Sequence, residues 1–441
     1  MEPKKHRVLV IAESANPEWT SVPLVGWKLS HALSKVADVH LVTNLRNRAA
    51  VLRQGLVEGR DFTAIDNEAF AGRFLRLAEL LGGQKGKGWT TRTAVAAFAY
   101  YAFEFEVWRQ FSARLKAGEF DLVHRVTPLS PTSPSILAKR LSKINVPFVL
   151  GPLNGGLPWP KNFRDVQYAE REWLSHLRQV YKCLPGYDAT RRYSSAIIVG
   201  SHHTHSEMPN WAQRKCVYIP ENAVDSDLVD AALHRGAREK PLVATFVGRL
   251  VPYKGADILI EAAAMFVAAN QLKVHIVGDG PQRRELEDLV RARGIEIGVE
   301  LHGWLDHSEA QRILQCSDMM VLPSIREFGG GVVVEAMAQG VTPIVADYGG
   351  PAELVDDSCG IRVPFSDRKS LVDGIRAALG TVIATPEVLD SYAQSARKKV
   401  AEELTWNAKA KQVLRIYNAI LASPIDSRSL DLRAVRLSRP G

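Results

Sequence analysis

The chain has 441 residues, of which 46% are hydrophobic and 24% charged, and it carries a formal net charge of +8 at pH 7. This length exceeds one ordinary core and the apolar content fills two, which excludes a disordered or fibrous protein. The four cysteines have no paired spacing, so neither a disulfide framework nor a zinc knuckle is indicated and a reducing cytoplasm is expected. The charge favours anionic partners, whether nucleotide phosphates, anionic lipid or nucleic acid, without choosing among them.

Short β-branched runs alternate with helical patterns along the first half. The predicted strands there are RVLVIA, VHLVTN, DLVHRV, PFVLGP, AIIVGS and CVYIP. The N-terminal residues lack the apolar core of a signal peptide, so none is expected. The longest other apolar run, at 94–108, is broken by Glu104 and Glu106 and is too short to span a bilayer.

The second half repeats this rhythm. Its predicted strands are ATFVGRL, KVHIVGDG, VELHGW, MMVLPS and TPIVADYGG, with helices such as GADILIEAAAMFVAA between them. Strands that alternate with helices predict parallel sheets covered on both faces, and two such sets predict two doubly wound α/β domains. We expect domains at 1–221 and 222–404, a last helix at 405–422, and a loosely ordered basic tail at 423–441.

In such folds ligands bind where strands end and helices begin, because free amides and the helix dipole attract anions there. In VGRLVPYKG a strand ends at Gly248, and Arg249 and Lys254 then supply the two cations that a diphosphate needs. The alternative is a pair of solvated surface charges. In VGDGP, Gly278 and Gly280 allow close backbone approach, but the missing GxxG continuation gives a dinucleotide dehydrogenase little support.

The stretch REFGGGVVVEAMAQG at 326–340 places two acids around a glycine run. Glu327 is predicted in a loop, the amides of Gly329, Gly330 and Gly331 at a helix start, and Glu335 about two turns into that helix. If the spacing is wholly helical, the carboxylates are roughly 12 Å apart. That is too far for a glycosidase pair at about 5–9.5 Å, but it suits a sugar and a ribose at two ends of one ligand. The alternative is a dipole partner and a solvated helix residue.

Together GRLVPYKG, VGDGP, EFGGGVVVE and EAMAQGVTPIVADYGGPAELV resemble the donor domain of the family-4 retaining glycosyltransferases of GT-B fold. The resemblance is strong over 240–420 and far weaker over 1–220. It implies two Rossmann-like domains that face each other across a cleft, with the helix at 405–422 crossing back to the first. It also implies transfer of a sugar from a UDP- or GDP-sugar with retained anomeric configuration, without a metal or a cofactor.

The resemblance further implies the roles of individual residues. Arg249 and Lys254 neutralise the diphosphate, and with Glu327, which holds the donor sugar, they form the expected catalytic set. Glu335 holds the ribose hydroxyls. The other expected donor-binding residues are Gly248, Gly278, Phe328, Gly329, Gly330, Gly331 and Val332.

The first half departs from the family pattern at two motifs. Many members have two glycines in the first loop, where this chain has Thr20 and Ser21, whose hydroxyls can still contact a ligand. The common His-x-His after the DLV strand is half present, because His124 remains and Val126 replaces the second histidine. Thr20, Ser21 and His124 are expected as acceptor-binding or cleft residues.

At another strand end, GPLNGGLPW offers Asn154, Gly155 and Gly156 as cleft residues, and the alternative is an ordinary tight turn. In SHHTHS three histidines lie within four residues, but adjacent histidines point apart on a helix and no cysteine is near. A polar helix start, not a metal site, is therefore expected there.

DVQYAEREWLSHLRQVYK keeps helical apolar spacing beside basic and aromatic residues. It predicts either a helix packed on the first domain or a surface that meets anionic membrane. No basic-aromatic nucleic-acid motif is found, so no nucleic-acid partner is expected.

The sequence as a whole predicts a cytoplasmic glycosyltransferase. A peripheral contact with the inner face of a membrane is one alternative, and the expected acceptor is a polysaccharide, a lipid-linked oligosaccharide or a glycolipid. Two alternatives stay open. One is a sugar-nucleotide epimerase of the same fold, and the other is a non-catalytic GT-B interaction subunit.

Overall fold

The computed structural model describes residues 5–67, 89–169, 182, 184–230, 240–422 and 432. These residues cluster into two compact units. The first holds the described residues up to Gly156, those between Leu174 and Glu221, and those from Lys409 onward. The second holds those between Leu157 and Trp173 and those between Asn222 and Ala408. The clustering thus assigns the segment after Gly156 to the second unit and divides the last helix, while the predicted domain limits stay predictions.

Each unit contains one sheet in which every described strand pairing is parallel. The seven-stranded sheet has the order β3-β2-β1-β4-β5-β6-β7, and the six-stranded sheet has the order β10-β9-β8-β11-β12-β13. Both orders reverse direction once, as in doubly wound α/β sheets. The α/β fold class is as predicted. The strands are β1 Arg7–Ala12, β2 Asp38–Asn44, β3 Phe62–Ile65, β4 Leu122–Thr127, β5 Phe148–Leu153, β6 Ala196–Val199, β7 Cys216–Tyr218, β8 Leu242–Val247, β9 Leu272–Val277, β10 Val299–Gly303, β11 Met319–Leu322, β12 Thr342–Ala346 and β13 Ile361–Val363.

Helices connect these strands, as parallel pairing requires. They are α1 Val22–Val36, α2 Arg48–Arg53, α3 Trp89–Lys116, α4 Leu137–Ser142, α5 Arg164–Ala169, α6 Tyr187–Tyr193, α7 His202–Ser206, α8 Asn210–Gln213, α9 Ser226–Asp230, α10 Ala256–Ala268, α11 Arg283–Arg293, α12 His307–Gln315, α13 Gly331–Ala338, α14 Gly349–Leu354, α15 Arg368–Ala384, α16 Val388–Lys399 and α17 Trp406–Ala422. Short 3₁₀ turns occupy Leu45–Asn47 and Pro252–Lys254, and a π-helical turn occupies Val400–Leu404.

The central strands are buried along their whole length. Every residue of β4, β5, β11 and β12 is buried, which is the pattern of strands covered on both faces. The edge strands β3 and β13 are short and only partly buried. Each unit has its own apolar core beneath its helices.

Among the described residues, no helix is both long enough and apolar enough to cross a membrane. Most of the predicted basic-aromatic helix after Ala169 lies outside the described residues, and so does the predicted tail apart from Leu432.

Candidate functional site

Four loops of the second unit leave the same edge of its sheet. They follow β9, β8, β11 and β12, which are neighbours in the strand order, at 278–280, 248–255, 323–330 and 347–348. Because parallel strands end at one edge, these loops lie side by side, and β8 and β11 flank the point where the strand order reverses. The sequence-predicted donor residues therefore gather at the position where doubly wound sheets bind ligands.

Backbone contacts through glycine join the first two loops. A Cβ atom on Gly278, whose φ is 136°, would lie 2.0 Å from the carbonyl oxygen of Gly248. The Gly248 amide donates to the carbonyl of Val277 at 2.9 Å. A Cβ on Gly280 would lie 2.4 Å from the carbonyl oxygen of Leu250. The VGDGP motif thus requires glycine because two backbones touch there.

The loop after β8 is also held against the loop after β11. Gly255, with φ 76°, precedes α10, and a Cβ there would lie 2.6 Å from the carbonyl oxygen of Pro323. The Ile325 amide donates to the carbonyl of Tyr253 at 2.9 Å. These contacts fix the turn that carries Lys254 next to the segment that carries Glu327.

Lys254 and Glu327 form an ion pair, and each side chain is only 19% exposed. The sequence predicted both residues in the site but not their contact. Arg249 lies in the same loop as Lys254 and is exposed. One acid and two cations therefore share the loops on either side of the strand-order reversal.

The glycine pair of ADYGGPAELV packs on the backbone beside Glu327. The Gly350 amide donates to the carbonyl of Glu327 at 3.0 Å. A Cβ on Gly349 would lie 2.4 Å from that same oxygen, and a Cβ on Gly350 would lie 2.2 Å from the carbonyl oxygen of Phe328. This motif therefore fixes the course of the Glu327 loop.

The helix after the glycine run is shorter than the sequence suggested. Gly330 has a left-handed backbone with φ 65° and caps α13, which begins at Gly331. The condition for the 12 Å estimate, a wholly helical spacing, is therefore not met. Glu335 is the fifth residue of α13, less far into the helix than the two turns expected. The amides of Gly329 to Val332 precede or open this helix, where N–H groups have no partner within the helix.

Glu335 is largely buried and accepts a hydrogen bond from the side chain of Gln311. Burial raises the pKa of Glu335, while the charge of His307 and the Gln311 hydrogen bond act in the opposite direction. Gln339 in turn donates to Gln311 and to the Glu335 carbonyl. The interpretation of Glu335 as a solvated helix residue does not match this environment.

Arg326 is a residue of this region that the sequence reasoning missed. It is 8% exposed, and its Nε donates to the carbonyl of Leu157 at 3.1 Å. Its guanidinium carbon lies 4.8 Å from the ring centroid of Trp159 and 5.1 Å from that of Phe328. The segment after Gly156 thus supports the Glu327 loop from within the second unit.

Comparison with known proteins identifies this part of the chain. Residues 234–399 match the family described as glycosyl transferases group 1, and this segment contains all four loops. The domain that it forms is a group 1 glycosyltransferase domain. The alpha-D-kanosaminyltransferase of Streptomyces kanamyceticus is 30% identical over 242 residues, which cover 52% of this chain and 61% of that protein. The chain thus spans about three fifths of the length of this relative.

Solved structures extend the likeness to nearly the whole chain. The sucrose-phosphate synthase of Thermosynechococcus elongatus matches with a TM-score of 0.61 and 19% identity, over 95% of this chain and 100% of that one. The Anabaena protein HepE in complex with UDP-glucose matches with a TM-score of 0.56 and 17% identity, over 92% and 99%. At this identity the likeness shows the fold alone, and the predicted GT-B fold is confirmed.

Outside the group 1 glycosyltransferase domain, Thr20 and Ser21 are exposed just before α1. Ser21 has φ 62° and ψ −136°, a backbone that glycine adopts at little cost and serine rarely does. This backbone would suit the glycine that the family resemblance implies at this position. Whether these hydroxyls contact a ligand stays a prediction.

His124 has a different environment from the predicted one. Its side chain is fully buried in β4, Nδ1 lies 2.6 Å from the Tyr417 hydroxyl, and Nε2 lies 2.7 Å from the Gly151 carbonyl. Burial lowers the pKa of His124 to about 4. Both ring nitrogens are therefore occupied in holding β5 and α17, and neither faces solvent.

Asn154, Gly155 and Gly156 follow β5 and contact α7. The Gly155 amide donates to Thr204 Oγ1 at 3.3 Å, and His203 Nε2 lies 3.0 Å from the Gly156 carbonyl. Both glycines have positive φ, at 149° and 80°. The turn is tight and polar, and its predicted contact with a ligand is untested.

The SHHTHS stretch forms α7, a helix start as expected. Ser201 caps it by accepting a hydrogen bond from the Thr204 amide, and His202 stacks on Tyr218 at 4.3 Å. Among the described residues, side chains with metal-ligand spacing lie instead on β9 and β10.

Proposed function

We propose that the chain is a retaining glycosyltransferase that moves a hexose from a nucleotide diphosphate sugar to a hydroxyl of a carbohydrate acceptor. The observation that carries the proposal is the ion pair between Lys254 and Glu327, at the loops that flank the strand-order reversal. This pair places a cation for a phosphate next to an acid for sugar hydroxyls. The family match of residues 234–399 and the UDP-glucose bound by HepE support the same ligand class.

The cations of the site hold the diphosphate. Lys254 exchanges Glu327 for a phosphate oxygen when the donor binds, and the exposed Arg249 adds a bidentate contact. During the reaction negative charge grows on the departing diphosphate. Fixed cations stabilise that charge without a metal ion, so Arg249 and Lys254 are proposed as catalytic residues.

The two acids hold the two ends of the donor. Glu327, released from Lys254, accepts hydrogen bonds from the transferred sugar, together with the amides between Gly329 and Val332. Glu335 exchanges its Gln311 contact for the ribose diol. No side chain of the described loops is placed as an evident nucleophile, and retention is proposed to follow from departure and attack on one face of the sugar.

The acceptor is proposed to be a polysaccharide, a lipid-linked oligosaccharide or a glycolipid. Thr20, Ser21, Asn154, Gly155 and Gly156 remain the proposed acceptor-side residues. All five lie in the first unit, at exposed loops or at the end of a strand.

The proposal is tested first by ligand binding. UDP, GDP and their hexoses are screened by thermal shift, because a ligand that binds the folded chain alone raises its melting temperature. Lys254→Ala is expected to remove the shift, whereas the exposed Glu296→Ala leaves it unchanged. No shift with any nucleotide in the wild-type chain would favour the non-catalytic subunit instead.

The products of turnover distinguish a glycosyltransferase from the remaining alternative, a sugar-nucleotide epimerase. A glycosyltransferase consumes the donor only in the presence of an acceptor or water, and NMR of the product shows the donor's anomeric configuration. An epimerase instead changes the stereochemistry of the sugar nucleotide or of its sugar. Epimerised sugar in the absence of any transfer product would overturn the transferase proposal.

We further propose a cytoplasmic enzyme that contacts anionic membrane through the segment around 166–182. Binding to anionic liposomes is expected to weaken with salt, because surface attraction is screened within about 10 Å at 0.1 M. Arg178→Glu with Lys182→Glu is expected to weaken it as well. Lys182 lies 3.2 Å from Glu207, so Glu207→Gln is a matched control that removes one charge of the opposite sign. Salt-insensitive recovery in the soluble fraction would indicate a helix packed on the protein.

A further inference from the structure

Two histidines and a glutamate meet on neighbouring strands of the six-stranded sheet. His275 lies on β9, and Glu300 and His302 lie on β10, the edge strand. Glu300 is directly opposite His275 in the parallel register. His302 lies where the register of this pair shifts, between Leu301 and Gly303, and its ring contacts His275.

The polar atoms of these side chains converge. His275 Nδ1 lies 2.8 Å from His302 Nε2 and 3.5 Å from Glu300 Oε2. One ligand atom from each residue lies within 4.8 Å of those of the other two. For zinc bonds of about 2.0–2.1 Å, two ligand atoms at a tetrahedral angle are about 3.4 Å apart and at a right angle about 2.9 Å. The two contacts of His275 Nδ1 therefore lie within about 0.6 Å of these separations. Glu300 also approaches the other ring nitrogen of His302, with Oε1 3.6 Å from Nδ1.

The surroundings suit a borderline metal. The two imidazoles are largely buried, with 22% and 16% of the side chains exposed, whereas Glu300 is 64% exposed and leaves one side open to water. Lys273 lies on the same face of β9, two residues before His275, and its positive charge opposes the binding of a cation there.

We propose that His275 Nδ1, His302 Nε2 and Glu300 Oε2 bind one divalent ion of the zinc class, with water completing the coordination. Two imidazoles and one carboxylate form a ligand set that zinc accepts with an open position. The ion would clamp β9 to the edge strand, just before the point where the Gly278 amide donates to the Gly303 carbonyl at 2.9 Å. It takes no part in the sugar transfer proposed above, and the proposal does not depend on that function.

The test is a zinc titration of the full-length chain after treatment with EDTA and removal of the chelator. Competition with a chromophoric chelator is expected to show one zinc per chain. His302→Gln and Glu300→Gln are each expected to lower the zinc affinity by at least about 10- to 100-fold, the range known for loss of a supporting group around a metal. Lys273→Gln is expected to tighten binding by about two- to fivefold, because it removes a nearby surface cation.

His205→Gln is the matched control, since it removes a histidine of α7 outside the cluster and is expected to leave zinc affinity unchanged. Melting temperatures without metal establish that each variant is folded, and cobalt supplies a second readout through its visible absorption. Equal zinc affinity in the wild-type chain, His302→Gln and Glu300→Gln would overturn the assignment. So would a loss of the site in His205→Gln.

Discussion

Replacing either glutamate of the donor site tests which end of the ligand each one holds. Because Glu327 is paired with Lys254, Glu327→Ala frees that cation for a phosphate. A partly exposed ion pair contributes about 0.5–1 kcal/mol, so the affinity for the free nucleoside diphosphate should rise by about two- to fivefold. The intact donor loses its sugar contact. A hydrogen bond to a charged group contributes about 1.5–3 kcal/mol, which is roughly a ten- to hundredfold loss before that gain.

Glu335→Ala should behave differently. If Glu335 holds the ribose, the diphosphate and the intact donor both contain the group that loses its partner. Each affinity should then fall by roughly ten- to a hundredfold. Turnover should drop in both variants, and more in Glu327→Ala if its contact strengthens as the sugar gains positive charge in the transition state.

Isothermal titration calorimetry of the diphosphate alone and of the intact donor decides the matter. The exposed Glu296→Ala is the control for removal of one negative charge. The gain in Glu327→Ala should shrink at high salt, because screening weakens the freed cation's attraction. Equal losses of diphosphate affinity in both variants would show that the two ends are assigned wrongly. Unchanged binding and turnover in both would remove the glutamates from the site.

Three further predictions follow from single features. Turnover should survive EDTA, and the product should keep the anomeric configuration of the donor. Loss of turnover that magnesium or manganese restores, or an inverted product in NMR, would contradict this. The same EDTA treatment should lower the melting temperature only of chains that keep His302. Gly278→Ala should lower the free energy of unfolding in urea by at least about 2 kcal/mol, because its Cβ would lie 2.0 Å from the Gly248 carbonyl oxygen. Gly294→Ala, at a position with φ 63° and no neighbour within 4 Å, should lower it by about 1 kcal/mol. Equal losses in the two variants would refute the close approach. Burial lowers the pKa of His124 from 6.5 to about 4, so the free energy of unfolding should fall as the pH drops from 6.5 toward 4. The loss at pH 5 should be about 2 kcal/mol. His124→Gln should lack this pH-dependent loss.

The hydrophobic period and the residues at strand ends were enough to predict two parallel sheets and the loops that carry the proposed donor site. The two strands that were not predicted, β3 and β13, have four and three residues, lie at sheet edges and are only partly buried. Runs of three or four residues are too short to carry a periodic signal. The position of Glu335 within α13 was overestimated for another reason. Gly330 takes a left-handed conformation, and a glycine run does not indicate which of its residues ends the loop.

Contacts between residues far apart in the chain could not be predicted from the sequence. Arg326 and the Leu157 carbonyl that it binds are 169 residues apart, and neither residue has a motif that points to the other. His275 and His302 are 27 residues apart, and they meet because the pairing of β9 with β10 places Glu300 opposite His275 and His302 beside it. Local pattern predicts which strand an imidazole lies on, but the register decides which side chain it meets.

The two kinds of residue in the donor site divide its work. Gly278, Gly349 and Gly350 lie against carbonyl oxygens at distances that admit no Cβ, so they fix the loops and cannot be replaced without moving the backbone. Lys254 and Glu327 instead form an ion pair with each other, and each is proposed to pair with a different part of the donor. A rigid backbone with exchangeable charges lets the site keep its cation and its acid partly buried without leaving either unpaired, which would be costly. On this reasoning the free energy of donor binding contains the cost of separating that pair, and removing only one member should change the diphosphate and sugar ends in opposite directions.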